Sequence, residues 1–210
     1  MIFKTSQEEF WAGDFGDEYI DRNKGSQHIA ANTALFAKII SRTSDIQSII
    51  EFGSNLGMNL IALKQLLPNA ELSAIEINEK AVNILRDWGQ AKVYHQSILD
   101  FENDYPRDFV FTKGVLIHMN PEVLTEVYDK MYTTSKKYIC IAEYYNPVPK
   151  EIKYRGYTEK LFKRDFSGDM LERFSDLNLV DYGFVYHLDT NFPMDDITWF
   201  LLEKSNSRSE

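Results

Sequence analysis

Cysteine is almost absent from this 210-residue chain: Cys140, inside Tyr138-Ile139-Cys140-Ile141-Ala142, is the single one. One thiol closes no intramolecular disulfide and offers no zinc-ligand spacing, so neither a disulfide scaffold nor a bound metal is expected. Cys140 reads as a small core residue of a buried strand. Long apolar runs are missing as well. Nothing approaches the roughly 20 apolar residues of a membrane-spanning helix. The segment from Met1 to Asp21 is mixed and acid-bearing, without the basic flank and apolar stretch of a signal peptide. A cytoplasmic setting away from membranes is the expectation. Positive charge is scarce: 23 Lys and Arg against 32 Asp and Glu leave a net charge of −9. Such a surface repels phosphate backbones, which makes nucleic acid a poor partner and a small molecule the better one.

What is present is 44% apolar and 14% aromatic residues, enough for the core of one ordinary α/β domain. From about residue 27 strand-like and helix-like segments alternate. The spacing predicts helices over 27–40, 56–67 and 79–88, the last closed by Gly89, and strands over 48–52, 71–77, 92–95, 109–112 and 138–142. Asn120-Pro121 marks a further helix start, with that helix running to about Ser135. Asn146-Pro147-Val148-Pro149 is a break, followed by a basic and aromatic stretch to Phe166. A helix near 168–176 precedes two strand-like runs, 179–187 and 197–203, with no helix between them. Repeated strand–helix units imply a mostly parallel sheet with helices on both faces, and the last two runs pair antiparallel at one edge. The divisions are a segment 1–26, a domain 27–204 and a polar tail 205–210 expected to be disordered.

The most informative segment is Ile49-Ile50-Glu51-Phe52-Gly53-Ser54-Asn55-Leu56-Gly57. A strand enters a glycine-bearing turn that opens a helix. Such a turn lets backbone approach a ligand closely and aims free N–H groups at it. A dinucleotide site expects Gly-x-Gly-x-x-Gly; here the pattern is Glu-x-Gly-x-x-x-Gly. An acid two residues before the first glycine suits a ligand that carries an amine, such as the methionine end of S-adenosylmethionine (SAM). Glu51 acts directly, through water, or by fixing the loop. Glu76 ends the second strand, roughly 25 residues on, where an acid can accept both ribose hydroxyls of an adenosine.

These motifs resemble the first two of the class I SAM-dependent methyltransferases. His95-Gln96-Ser97-Ile98-Leu99-Asp100 lies where that superfamily holds the adenine, and Asp108 to His118 resembles its fourth-strand motif. Asn55 replaces the usual central glycine and Ser97 the usual adenine-side acid. Nearer still is the likeness to methylases associated with pseudaminic acid biosynthesis. It is carried by Phe10-Trp11-Ala12-Gly13-Asp14-Phe15-Gly16, Val115-Leu116-Ile117-His118-Met119-Asn120-Pro121-Glu122, Glu143-Tyr144-Tyr145-Asn146-Pro147, Tyr154-Arg155-Gly156 and Asp195-Asp196-Ile197-Thr198-Trp199-Phe200.

The resemblance implies a Rossmann-like class I methyltransferase fold, with seven strands and the last one inserted antiparallel. It implies SAM as cofactor, held by Glu51, Gly53, Asn55, Gly57, Glu76 and Ile77, with Ser97, Ile98 and Lys113. Segment 1–26 is expected to fold over the cofactor as a lid, with Trp11 against it and Tyr19 and Arg22 reaching its carboxylate. His118, just before the helix at Pro121, is the first candidate base. Glu143, after the fifth strand, is the second. Tyr144 and Tyr145 are expected to shape the acceptor pocket, and Arg155, flanked by Tyr154 and Gly156, to clamp a carboxylate or phosphate. The expected reaction is methyl transfer to an O or N atom of a small, anionic, sugar-like metabolite, by a monomer or a homodimer. Two other readings stay open: an NAD-dependent oxidoreductase, and a non-catalytic SAM-binding or scaffold protein.

Overall fold

The computed structural model of the protein describes residues 2–22 and 25–205. Its centre is a seven-stranded sheet in the order β3-β2-β1-β4-β5-β9-β8. The strands are β1 (Ser48–Phe52), β2 (Glu71–Glu76), β3 (Ala91–His95), β4 (Arg107–Lys113), β5 (Ser135–Glu143), β8 (Leu177–Val185) and β9 (Ile197–Lys204). β1 to β5 are parallel; β9 runs antiparallel between β5 and β8. The expected antiparallel pair and the inserted last strand are both present.

The parallel strands are apolar because helices cover both faces. On one side, α3 (Ser26–Ile40), α4 (Met58–Leu66) and α5 (Glu79–Trp88) bury Phe36, Leu60, Leu63 and Leu85 against Ile49, Phe109 and Phe111. On the other, α6 (Leu124–Thr134) and α7 (Phe166–Arg173) bury Val127, Met131, Phe166 and Met170 against Ile50, Val110 and Ile139. Local chemistry fixes the ends. The Asn78 side chain accepts the Ala81 N–H at the start of α5, and Gly89 closes it at φ +68°. Asn120 caps the turn at Pro121 as expected, although this first turn (Pro121–Val123) is a 3₁₀ helix.

Several boundaries differ from the sequence reading; β4 starts at Arg107, β8 spans Leu177–Val185 and α4 begins at Met58. β5 begins at Ser135, directly after α6, because two exposed or half-exposed lysines, Lys136 and Lys137, mask its start. α7 lies two residues early, capped by Asp165. The stretch after Pro149, left without structure in the sequence reading, contains a small hairpin, β6 (Lys150–Glu151) with β7 (Phe162–Lys163), and an isolated bridge between Tyr154 and Tyr157. Before the sheet come two short helices, α1 (Ser6–Ala12) and α2 (Asp14–Arg22). Of the tail expected at 205–210, only Ser205 is among the described residues.

Candidate active site

A cavity of about 530 Å³ opens at the C-terminal ends of β1, β2 and β4, under α1 and α2. This is where open α/β sheets place ligands. Its floor is the glycine turn. Gly53 has φ +80° and Gly57 φ +72°, both in the left-handed region that favours glycine. Asn55 also sits there, at φ +45°, and asparagine is among the few other residues to visit it readily. The missing central glycine is thereby explained: Asn55 supplies the backbone shape. Its Oδ1 accepts the Leu56 N–H at 2.7 Å.

The two glutamates behave differently. Glu76 lies on the cavity wall, its carboxylate held by two backbone donors: the Asn55 N–H at 2.6 Å and the Asn78 N–H at 2.7 Å. It thus couples the end of β2 to the glycine turn and still keeps lone pairs for a ligand. Glu51 is fully buried behind the wall. Its Oε1 accepts Asn59 Nδ2–H at 2.6 Å, while Oε2 is buried with no hydrogen-bond partner among the described residues. Burial pushes the Glu51 carboxyl up to about 8. Asn59 Oδ1 and Trp11 Nε1 are likewise buried and unpaired, and both side chains line the cavity. Three buried polar atoms, on Glu51 behind the turn, on Asn59 of α4 and on Trp11 of α1, are thus left without partners among the described residues, which calls for a polar ligand.

Ile77, Ser97 and Ile98 complete the β2–β3 side. Ser97 caps the short 3₁₀ turn Ile98–Asp100 and donates its hydroxyl to Glu8 of α1. Lys113, at the end of β4, faces the cavity with no hydrogen bond or ion pair among the described residues. Burial lowers its pKa, opposed by the nearby charges of Glu51, Asp195 and Glu143.

His118 stands on the wall with its ring between Trp11 (4.7 Å) and Tyr154 (4.9 Å). Its Nδ1 lies 2.6 Å from the Lys160 carbonyl. A carbonyl only accepts, so Nδ1 carries the proton and Nε2 presents a lone pair. Burial lowers the His118 pKa to about 4, so the ring is neutral at physiological pH.

Above the cavity, α1 and α2 bring Trp11 and Tyr19 to the wall. Burial pushes the Tyr19 hydroxyl up to about 12. α1 is anchored on both sides. Lys4 bridges Asp100 at 2.7 Å, and Gln7 Nε2 donates to the Glu159 carbonyl at 2.9 Å. Phe10 and Phe15 stack at 4.1 Å, and Phe10 meets Tyr157 edge-on at 5.1 Å.

Besides Glu51, six residues singled out in the sequence lie off the wall. Gly57 packs the start of α4 on Leu85. Arg22 pairs with Glu18 at 3.2 Å and lies over the Phe15 ring. Glu143 does not face the crevice: its Oε1 accepts the Val115 and Leu116 N–H groups at 2.9 and 3.0 Å, fixing the turn that carries His118. Tyr144 is half-buried with its hydroxyl on Asp195, a cavity residue. Tyr145 points outward against Phe200. Arg155 is exposed at φ +49°, over the Tyr154 ring and without an ion pair among the described residues. Among wall residues, Asn32, Asn59 and Asn78 were given no role in the sequence reading, and Asp195 entered only as part of the family resemblance. Among the described residues no group of three His, Cys, Asp or Glu side chains is arranged to hold a metal, and no helix is long and apolar enough to cross a membrane.

No protein-family model and no curated protein sequence matches the chain. Solved structures do. Magnesium protoporphyrin IX methyltransferase from Synechocystis PCC 6803 with bound SAH superposes with a TM-score of 0.71 at 14% identity, covering 97% of this chain and 100% of that one. The 1,6-didemethyltoxoflavin-N1-methyltransferase of Burkholderia thailandensis, bound to 1,6-didemethyltoxoflavin and S-adenosylhomocysteine (SAH), gives 0.67 at 12% identity over 98% and 93%. The plantazolicin methyltransferase BpumL, in complex with a pentazolic desmethylPZN analog and SAH, gives 0.66 at 14% over 94% of each chain. At these identities the likeness establishes architecture: the chain has the α/β fold of the SAM-dependent methyltransferases.

Proposed function

We propose that the protein is a SAM-dependent methyltransferase acting on a small molecule. The observation that carries this reading is the cavity at the C-terminal ends of β1, β2 and β4, floored by the glycine turn and walled by Asn59 and Trp11, whose buried Oδ1 and Nε1 lack partners among the described residues. The methionyl end of SAM supplies both ammonium donors and carboxylate acceptors, and Lys113 and Tyr19 are further partners for the carboxylate. Glu76 at the end of β2 takes the ribose hydroxyls, and Ser97 and Ile98 flank the adenine. Gly53 and Asn55 keep the backbone close. Gly57, Ile77 and Arg22 act through the shape of the turn, the wall and the lid.

SAM brings an electrophilic methyl group on a sulfonium. The chain orients the acceptor and handles its proton. His118 Nε2 accepts a hydrogen bond from the acceptor O–H or N–H and holds the proton that atom gives up as it is methylated. A base of pKa about 4 suffices for an oxygen acceptor, because an oxygen acquiring an extra bond becomes a much stronger acid than imidazolium; an amine acceptor would need no base in the methyl-transfer step and would lose its proton to solvent afterwards. Glu143 positions His118 through the 115–116 backbone. The α1–α2 segment is the lid that excludes water.

For the acceptor we infer a small anionic, sugar-like metabolite of the pseudaminic or nonulosonic acid kind. The family resemblance supports it, as does Arg155, which has no ion pair among the described residues and lies over the Tyr154 ring on the loop whose Tyr154 and Tyr157 meet Phe15 and Phe10. Calorimetry with SAH and with NAD tests the cofactor: SAH binds and NAD does not. Label transfer from methyl-labelled SAM to sialic- and pseudaminic-type sugars tests the reaction. His118→Asn should lower kcat about 10²–10³-fold with SAH affinity unchanged; an unchanged kcat removes His118 from the chemistry.

A further inference from the structure

The edge of the sheet at β8 is unusual for an exposed edge. Natural edge strands are blunted by lysines, prolines, bulges or a covering element. From Leu177 to Val185 this strand has no lysine, no proline and one charge, Asp181, which Arg42 neutralises at 2.9 Å. Its single irregularity, between Leu179 and Asp181, comes before the aromatic stretch. Beyond it, Tyr182, Phe184 and Tyr186 point to one face and are 64%, 55% and 47% exposed. α7 is only eight residues long and ends below them. Tyr182 stacks on Phe200, which meets Tyr145, so the rings form one apolar sheet. In the following loop Leu188 and Phe192 are 67% and 46% exposed.

We propose that this face is covered in solution by a second copy of the chain, related by a two-fold axis. Tyr145, Tyr182, Phe184, Tyr186, Leu188 and Phe192, each 40–67% exposed, together offer roughly 700–800 Å² of surface, most of it apolar. That exceeds the ~300–600 Å² of a monomer's largest patch and matches the ~800 Å² per partner of a stable interface. A second copy is the occupant the charges favour. The chain carries −9, so self-association is opposed over most of its surface, whereas between Leu177 and Val185 the one charge, Asp181, is paired with Arg42. An isologous contact also needs no foreign complement: tyrosine hydroxyls at the ring tips meet backbone groups of the symmetry mate. The loop after β8 also carries Pro193 and Met194, which line the cavity. The dimer contact therefore braces one rim of the active-site mouth.

Sedimentation equilibrium of the full chain between about 1 and 100 μM tests this. The expected result is a dimer whose dissociation constant weakens about 30-fold or more in Phe184→Lys, with circular dichroism unchanged. A second reading avoids any folding defect. Cys140 is buried, so Phe184→Cys adds the one accessible thiol, and a nitroxide there should give an intermolecular distance below roughly 25 Å across a two-fold contact. A monomer at every concentration overturns the proposal. So does a dimer indifferent to Phe184→Lys and with a long label distance; capture of another protein on a monomeric chain does so as well.

Discussion

At the scale of single residues, buried ionisable groups set the pH behaviour. Burial pushes the Glu143 carboxyl up to about 7 in spite of its backbone donors. The folded state thus holds this proton more tightly than the unfolded chain, whose carboxyl titrates near 4.5. The stabilising contribution is complete below about 4.5 and is lost as pH rises through about 7. Glu143→Gln keeps an acceptor for the Val115 and Leu116 N–H groups and carries no charge. The variant should therefore gain on the wild type by about 3 kcal/mol between pH 4 and pH 8, read from urea midpoints at each pH. A constant difference would mean that Glu143 titrates normally. Gly53 shows how a correct position can have a different cause. The sequence suggested that its missing side chain leaves room for a ligand. In the structure a Cβ at 53 would meet Val115 Cγ2 at 2.7 Å, and the φ of +80° disfavours any side chain besides. Gly53→Ala should thus cost stability as well as cofactor affinity, about 2–3 kcal/mol. Val115→Ala in the same chain should return part of the stability, and thermal melts of the two variants decide it.

At the scale of elements, what was legible follows length and periodicity. β1 and α5 were readable to the residue because each is bounded by its own punctuation: Gly53 after the strand, and Asn78 and Gly89 around the helix. The hairpin of β6 and β7 was not, because two-residue strands have no period; the loop it closes touches α1 through Gln7 and the turn before α6 through His118. The site divides the same way. The glycine turn and Glu76 are consecutive signals on a strand–turn–helix, whereas Asn32 and Asp195 reach the cavity only through the packing of α3 and the β8–β9 loop. α1 is the element on which the lid reading depends. Glu8 does two jobs there, completing the capping box with Thr5 and accepting the Ser97 hydroxyl. Glu8→Ala should loosen α1 by about 1 kcal/mol or more. Amide exchange should rise over residues 5–12 while the sheet stays protected, and SAH should dissociate about 5–10-fold faster. Unchanged dissociation would place α1 outside the cofactor's path.

At the scale of the whole molecule, the two large apolar clusters lie on opposite faces of the sheet, and neither draws on a residue before Leu35. Only Ile20 of the first two helices enters a buried cluster, a small one with Leu56 and Ala81. The two large clusters therefore owe nothing to α1 and α2. Trp11 and Tyr19 of these helices, by contrast, stand on the cavity wall. Removing residues 1–25 should expose Leu56 and Ala81 and cost a few kcal/mol at most. The truncated chain should still unfold in one cooperative transition with its far-ultraviolet dichroism kept, apart from two helices. Cofactor affinity should fall by 10-fold or more, since one wall of the cavity is gone. A truncated chain that fails to fold would show the lid to be part of the core. One that folds and binds SAH at full strength would leave α1 and α2 with no part in cofactor binding.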